Sequence, residues 1–222
     1  MVLMMAGLCL TLGMAMPASA KEIRVAVSPA SPPNLFEENG QTKGMDLEIF
    51  EGYCQARDCS LKITSYDWQG MLGAVVSGQA DVAFSGISIT DKRKEQVSFA
   101  GPYFIAGQDL LVRADDTTIT GVDSLAGKKL CSVKGSTSAT NVQKKVPGVN
   151  LQEYNTYTLC VDALKAGNVD ALTTDDTILA GYAAQEAKRR EYLRSTFRRS
   201  RVKHVPVMTN RDWLRDLGTG IR

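Results

Sequence analysis

The sequence predicts an α/β fold in which short strands alternate with amphipathic helices over two lobes. Short apolar or β-branched runs recur along the chain, and segments with apolar residues at three- and four-residue spacing follow them. An extended apolar segment at residues 109–113 separates two such series. This alternation is typical of parallel sheets covered by helices on both faces. We predict lobe 1 at residues 21–110 and lobe 2 at residues 111–187.

The elements of lobe 1 follow from apolar spacing and from turn residues. A proline-rich stretch ends the first strand because proline cannot sit in a central strand, and Gly78 ends the second helix in a left-handed conformation. The predicted elements are strands at residues 23–27, 61–64 and 80–84, and helices at residues 45–56 and 69–77.

Strands and helices alternate in lobe 2 as they do in lobe 1. Its predicted elements are strands at residues 129–133, 151–154 and 169–173, and helices at residues 136–145, 159–165 and 177–186. Residues 109–113 are predicted to cross between the lobes as a strand.

The first twenty residues have the features of an export signal. They form an uncharged apolar run that closes with Ala-Ser-Ala and is followed by Lys21 and Glu22. Cleavage after Ala20 fits this pattern. An anchoring transmembrane helix is the alternative, although Gly, Thr and Pro interrupt the run. We therefore predict an exported protein, periplasmic or at the cell surface.

Four cysteines remain after the signal, and an even number in an exported chain favours disulfides. Four cysteines allow three pairings. Because Cys54 and Cys59 are close in sequence, we pair them with each other and Cys131 with Cys160. Metal binding is the competing interpretation, but a single histidine, His204, and the lack of C-x-x-C disfavour zinc. We predict no metal and no other cofactor.

Charge is distributed unevenly along the chain. Residues before position 188 include 15 Lys and Arg against 21 Asp and Glu, whereas residues 188–222 include 11 against 3. The mildly acidic body lacks the basic footprint that nucleic-acid binding requires, so we predict no nucleic-acid partner.

Three loops that follow predicted strands carry ligand-binding chemistry, because ligands collect at the carboxyl ends of strands in open α/β sheets. After the strand at 80–84 come Ser85, Gly86 and Ser88, then Thr90 or Asp91 as a helix cap, and then Arg93. A guanidinium holds a carboxylate through two parallel hydrogen bonds.

The other two loops belong to lobe 2. Residues 134–138 open a helix whose free N–H groups attract anions, and residues 173–176 place Asp175 and Asp176 after a strand. One aspartate can cap the next helix and the other can meet an amine. Each loop alone is equally well explained by helix capping, but together they complement an amino acid. Trp68 is either the apolar wall of this cleft or a half-buried core residue.

Phosphate is the competing anion for residues 134–138. The chain has no Gly-x-x-x-x-Gly-Lys and no Gly-x-Gly-x-x-Gly, so a carboxylate matches better.

A set of motifs in fixed order resembles the bacterial extracellular solute-binding proteins of polar amino-acid ABC transporters, family 3, in particular their glutamate- and glutamine-binding branch. The similarity runs from about Ile23 to Tyr182. The motifs include GMDL at 44–47, DW at 67–68, SGQAD at 77–81, SGISITDKR at 85–93, VSF at 97–99, GPY at 101–103, LAGKKLCSVKGST at 125–137 and GNVDALTTDD at 167–176.

The resemblance implies a periplasmic-binding-protein type II-like fold, with two α/β lobes joined by hinge strands that close over the ligand. Arg93 is similar to the α-carboxylate clamp, Asp175 to the α-ammonium partner and Trp68 to the stacking aromatic. Lys134 lies at a position from which its charge could contact an acidic side chain of the ligand. The remaining implied contacts are Ser85, Gly86 and Ser88 in lobe 1 and Ser136 and Thr137 in lobe 2. The paired cysteines also fit this family.

The implied function is a monomeric, non-enzymatic binding component that delivers a polar amino acid, glutamate first, then glutamine or aspartate, to ABC permease subunits. A lyase or dehydratase on the same fold, or a sensor domain, is the alternative. A catalyst would need a titrating base in the cleft, and the one histidine lies in the tail.

Two segments depart from the family pattern. Ser28 and Ser31 stand among prolines where relatives have an acidic residue and an aromatic. Residues 188–222 form an atypical basic tail without the second crossing strand, so the C-terminal part of lobe 1 is expected to be atypical or missing. A frameshift or truncation is our hypothesis, and a membrane-seeking tail is the alternative.

Overall fold

The structure, a computed structural model, describes the backbone of residues 21–199 and the side chains of residues 21–192. The predicted export signal and residues 200–222 of the basic tail, including His204, lie outside the described residues. In chain order the elements are β1 (Lys21–Val27), β2 (Ala30–Ser31), β3 (Leu35–Glu38), β4 (Gln41–Lys43), α1 (Met45–Arg57), β5 (Cys59–Ser65), α2 (Trp68–Val76), β6 (Val82–Ala83), α3 (Asp91–Lys94), β7 (Gln108–Val112), β8 (Lys129–Val133), α4 (Thr137–Lys145), β9 (Asn150–Tyr154), α5 (Tyr157–Ala166), β10 (Ala171–Asp175) and α6 (Asp176–Arg199), with a 3-10 turn at Val122–Leu125.

Lobe 1 is built on a parallel sheet of order β5-β1-β6. Side chains of β1 alternate between its faces, as expected for a strand. Val25 and Val27 pack in one cluster with Leu47 of α1, and Ala26 packs in another with Met71 of α2. The two helices therefore cover opposite faces of this sheet, as the sequence predicts.

Lobe 2 is built on a sheet of order β7-β10-β8-β9. Strands β8, β9 and β10 run parallel, but β7 pairs antiparallel with β10. The predicted crossing strand is therefore an edge strand of the second sheet. The boundary predicted after residue 110 falls within β7, and the division into lobes stays a prediction.

A third, antiparallel sheet of order β2-β3-β4 was not predicted. Its strands are two to four residues long; β2 lies within the proline-rich stretch, which signals only the end of a strand, and β3 and β4 follow it. Residue pairing here depends on contacts with the rest of lobe 1 more than on any local pattern.

Both predicted disulfides are formed. Cys54 pairs with Cys59, joining the end of α1 to the start of β5. Cys131 pairs with Cys160, joining β8 to α5 in the core of lobe 2.

The last described helix is longer than the sequence predicts. The apolar spacing ends near Glu186, yet α6 continues to Arg199 without a break at residue 188. The proposed start of a separate tail at residue 188 therefore falls within a helix that we count with lobe 2. No helix in the described part of the chain combines the length and apolar character that a membrane span requires.

Glu186 anchors α6 to α5 by charge. Its carboxylate is 6% exposed and meets Lys165 at 3.0 Å, Arg189 at 2.6 Å and Arg190 at 3.1 Å. Hydrogen bonds from Arg189, then from Lys165 and Arg190, lower the pKa of Glu186 to about 2.

We expect Glu186→Gln to lower the free energy of unfolding by about 1 kcal/mol and the melting temperature by about 2–4 °C at pH 7. Because the pKa is lowered in the folded state, this contribution is present at neutral pH and is lost as pH falls from the ordinary carboxyl range of 4.5 to about 2. Thermal denaturation of wild type and variant at pH 7 and at about pH 2.5, near the lower end of this pH interval, measures the contribution. A melting difference between wild type and variant that does not shrink at the lower pH would contradict this assignment.

Candidate functional site

Arg93 lies where the two lobes meet. Helix α3 begins after Thr90, whose hydroxyl accepts a hydrogen bond from the Arg93 N–H at 3.3 Å, so Thr90 is the cap. The guanidinium then donates to the carbonyl of Ser88 at 2.8 Å and to the carbonyl of Gly135 in lobe 2 at 3.2 Å. One side chain of lobe 1 thus reaches the backbone of lobe 2.

The Arg93 charge is partly buried and lacks an anionic partner among the described side chains. Its guanidinium carbon lies 5.8 Å from the centre of the Trp68 ring. Burial lowers the pKa of Arg93, and no carboxylate of the described chain offsets this. A guanidinium carries five N–H donors, and the two hydrogen bonds to carbonyls leave donors for an anion.

Two further hydrogen bonds join the lobes beside Arg93. The indole of Trp68 donates to the Gly135 carbonyl at 3.3 Å. The hydroxyls of Ser88 and Thr137 lie 2.9 Å apart. The structure therefore brings together four predicted site residues, Trp68, Ser88, Arg93 and Thr137.

A cavity of about 160 Å³ adjoins this group. This volume is below the roughly 300–1,000 Å³ of sites for larger ligands, so it suits a small molecule. Its lining residues are Trp68, Gln69, Met71, Leu72, Ile87, Arg93 and Gly135. Arg93 supplies the charge in an otherwise largely apolar wall. Asp175 and Lys134 are not among the lining residues.

The lobe 2 side contains a buried tyrosine that the sequence analysis did not identify. Tyr157 opens α5, and burial raises its pKa. The nearby hydroxyls of Thr174, Ser136 and Ser132 lower the pKa of Tyr157, and the charge of Asp175 raises it. The charge of the phenol also raises the pKa of Arg93. The buried phenol of Tyr157 is therefore within electrostatic range of both Arg93 and Asp175.

The two neighbouring aspartates have different environments. Asp176 accepts a hydrogen bond from the N–H of Thr177 at 2.7 Å at the start of α6. Asp175 ends β10, and burial, with a smaller effect of Asp176, raises its pKa. No cation among residues 21–192 lowers that pKa. The helix-start role therefore falls to Asp176. Contact between Asp175 and a ligand amine stays a prediction.

Three predicted contacts hold the scaffold in this structure. The Ser85 side chain is fully buried; its hydroxyl accepts from the Ser28 N–H at 2.9 Å and donates to the Ser28 carbonyl at 3.2 Å. The N–H of Gly86 donates to Asp46 at 2.9 Å. Ser136 is 2% exposed and caps α4 by accepting from the Ala139 N–H at 3.0 Å. Their polar groups are engaged in these hydrogen bonds within the protein. The predicted ligand contacts of Ser85, Gly86 and Ser136 stay predictions.

Lys134 is exposed at the turn between β8 and α4. Its N–H donates to the Tyr154 carbonyl at 3.0 Å. Contact between the Lys134 side chain and a ligand side chain remains a prediction.

Asp46 is a second feature that the sequence analysis did not single out as part of the site. Its side chain is 1% exposed, and its two oxygens accept from the Gly86 N–H at 2.9 Å and from the Tyr103 hydroxyl at 3.0 Å. Burial raises the pKa of Asp46, while these two hydrogen bonds lower it. The carboxylate thus ties the loop that follows β6 to the segment that leads into β7.

We expect Asp46→Ala to lower the free energy of unfolding by about 2 kcal/mol, because the partly buried Gly86 N–H loses its acceptor. Asp46→Asn should cost less than about 1 kcal/mol, since its oxygen can accept from Gly86 while the phenol of Tyr103 turns to accept from the amide. Urea denaturation measures both. Equal losses in the two variants would contradict this hydrogen-bond arrangement.

The described side chains contain no cluster of three or more His, Cys, Asp or Glu that could hold a metal ion.

Comparison with known proteins connects this geometry with a family. The sequence pattern of the bacterial extracellular solute-binding proteins, family 3, matches residues 23–204. The chain belongs to this family. The match extends past Tyr182, where the recognised motifs end, into the basic tail.

Members of family 3 with curated names include close relatives. The glutamate-binding protein GluB of Corynebacterium glutamicum is 52% identical over 68% of this chain and 54% of its own length. A glutamine-binding protein of Geobacillus stearothermophilus is 35% identical over 69% of this chain and 61% of its own length. This chain therefore spans little more than half the length of these relatives.

Solved structures of amino-acid-binding proteins share the fold. An ancestral arginine-binding protein bound to glutamine superposes with a TM-score of 0.71 at 33% identity, covering 74% of this chain and 73% of that one. The predicted fold class, α/β and periplasmic-binding-protein type II-like, is confirmed.

Proposed function

We propose that this chain is the substrate-binding component of an ABC importer and binds a polar amino acid as a zwitterion between its two lobes. Arg93 takes the α-carboxylate and Asp175 the α-ammonium. The apolar cavity wall, with Trp68 beside Arg93, packs against the carbon atoms of the ligand.

One observation carries the proposal. A buried charge without a partner is costly, and proteins normally pair it. Burial disfavours the charge of Arg93 in lobe 1 and that of Asp175 in lobe 2, and neither has an oppositely charged partner among the described side chains. Both interact with Tyr157. A molecule with one negative and one positive group would compensate both charges at once.

We further propose glutamate as the preferred ligand, with glutamine and aspartate as alternatives. The curated relatives named for glutamate and glutamine support this order. The exposed Lys134 at the start of α4 supplies a cation for an acidic ligand side chain. Ser88 and Thr137, which hydrogen bond to each other across the lobes, are proposed as polar contacts that a ligand can share.

The same reasoning extends to the partners. We propose export by the segment at residues 1–20, a monomeric receptor, and delivery of the ligand to permease subunits without chemical change. The name of the family describes its members as extracellular binding proteins, which supports export. Recovery of unaltered ligand after incubation with the protein separates binding from the lyase or dehydratase alternative.

Thermal-shift screening of the twenty amino acids on residues 21–222, followed by calorimetric titration, tests the proposal. We expect glutamate, glutamine or aspartate to raise the melting temperature and to bind one molecule per chain. A protein that melts cooperatively but is shifted by no amino acid would contradict it.

A further inference from the structure

A second contact between the lobes lies outside the group around Arg93. The Tyr182 side chain belongs to the apolar core of lobe 2 and is 8% exposed. Its hydroxyl nevertheless donates to the carbonyl of Ala30 in lobe 1 at 2.8 Å and lies 3.0 Å from the hydroxyl of Thr158. A rigid ring of lobe 2 is thus fixed to the backbone of β2.

Gly181, the preceding residue of α6, allows the close approach. A Cβ built at Gly181 would overlap the carbonyl group of Pro32 and lie 2.8 Å from the nitrogen of Pro33. These are backbone atoms, which cannot turn aside as a flexible side chain can. Glycine within a helix is less favourable than alanine by about 0.5–1 kcal/mol, so its presence here fits the need for space.

The lobe 1 side of this contact is connected to the loop of the proposed ligand site. The N–H of Ser28 donates to the hydroxyl of Ser85 at 2.9 Å. The carbonyl of Asn34 accepts from the N–H of Asp46 at 3.0 Å, and Asp46 holds Gly86. Residues 28–34, which we call the β2 segment, therefore support the loop that leads to Ser88 and Arg93.

The lobe 2 side is connected just as directly. Helix α6 begins immediately after Asp175 and carries Gly181 and Tyr182 in its first two turns. Only the first six residues of α6, 176–181, lead from Asp175 to the contact at Gly181. The orientation of this helix and the position of Asp175 are therefore linked.

We propose that Gly181 and Tyr182 are positioning residues for ligand binding. They dock α6 on the β2 segment in the closed arrangement of the lobes, and so bring Asp175 towards Arg93 without touching the ligand. This inference rests on the proposed function, because it assigns the contact a role in closing the lobes over an amino acid.

Gly181→Ala tests this directly, with Gly73→Ala as a matched control. Gly73 also lies within a helix, but a Cβ built there meets nothing within 4 Å. We expect Gly181→Ala to weaken amino-acid binding at least about tenfold, with a larger radius of gyration in the presence of ligand by small-angle scattering. The melting temperature of the ligand-free variant should stay equal or rise, because the lobes can separate to relieve the overlap and alanine favours the helix. Gly73→Ala should bind as the wild type does.

Tyr182→Phe and Thr158→Val separate the two hydrogen bonds of the tyrosine. Tyr182→Phe loses both bonds and should weaken binding several-fold, whereas Thr158→Val keeps the bond to Ala30 and should bind normally. Wild-type affinity in Gly181→Ala would overturn the inference. So would equal losses in Tyr182→Phe and Thr158→Val, or a ligand-free Gly181→Ala protein whose melting temperature falls in proportion to its affinity.

The failure of the proposed function would look different. A wild-type protein that binds no amino acid contradicts that function, and the lobe contact is then tested by scattering from ligand-free proteins. In that case a larger radius in Gly181→Ala than in Gly73→Ala supports the contact, and equal radii overturn it.

Discussion

Arg93→Lys should weaken amino-acid binding by more than about 100-fold, or about 3 kcal/mol, although the charge is retained. Lysine cannot reproduce the planar fork that holds a carboxylate through two hydrogen bonds. It would also lose the simultaneous bonds to the carbonyls of Ser88 and Gly135, which hold the guanidinium between the lobes. Calorimetric titration measures the change.

Arg24→Lys is the matched control for this prediction. Arg24 also lies in lobe 1 and pairs with Asp81 at 2.6 Å, but its side chain is 47% exposed on the surface. Exposed pairs contribute little, so this variant should bind within about twofold of the wild type. Equal affinity of Arg93→Lys and Arg24→Lys would remove Arg93 from the site.

Asp175→Asn should cause a comparable loss, more than about 100-fold, by removing the negative charge that we propose faces the ligand ammonium. The neighbouring Asp176→Asn is the control, because an asparagine oxygen can still accept a hydrogen bond at the start of α6. An affinity loss shared equally by the two variants would contradict the assignment of Asp175 to the ligand.

The pH dependence gives an independent test of Asp175. Burial raises its pKa in the ligand-free protein, and only the ionised carboxylate attracts an ammonium. Affinity should therefore be complete at neutral pH and fall on acidification, beginning above the range near 3.9 where an exposed aspartate titrates. Glutamine is the suitable ligand, because its side chain does not titrate. Asp175→Asn should remove most of this dependence, and an unchanged pH profile in the variant would contradict it.

Local sequence signals were sufficient for most of the fold. The cap at Thr90 and the left-handed Gly78 that follows α2 are both short-range features, and the structure contains each of them. Apolar spacing also placed α1 and α2 on the sheet. By contrast, the β2-β3-β4 sheet and the length of α6 depend on packing between distant segments, which no local pattern records.

The site divides in the same way. Arg93 and Trp68 stood out because of their residue types and their place after strands. Ser85 carries the same signal, but its hydroxyl is taken by Ser28, a partner 57 residues away. Tyr157 did not stand out in the sequence, since an aromatic at a helix start is usually part of the core, where Tyr157 indeed lies. Its place directly after β9, a strand parallel to β8, is the sequence signal that could have pointed to it.

A titration of three proteins with three ligands tests the pairing of Arg93 and Asp175 with opposite ends of one molecule. Wild type, Arg93→Lys and Asp175→Asn are each titrated with glutamate, with 4-aminobutyrate, which lacks the α-carboxylate, and with glutarate, which lacks the amine. We predict that the wild type binds 4-aminobutyrate at least about 100-fold more weakly than glutamate, whereas Arg93→Lys binds the two with nearly equal affinity. Likewise, the wild type should bind glutarate at least about 100-fold more weakly than glutamate, whereas Asp175→Asn should bind these two with nearly equal affinity. If each loss remains at full size in the variant that lacks the corresponding protein group, the two side chains do not hold the amino acid.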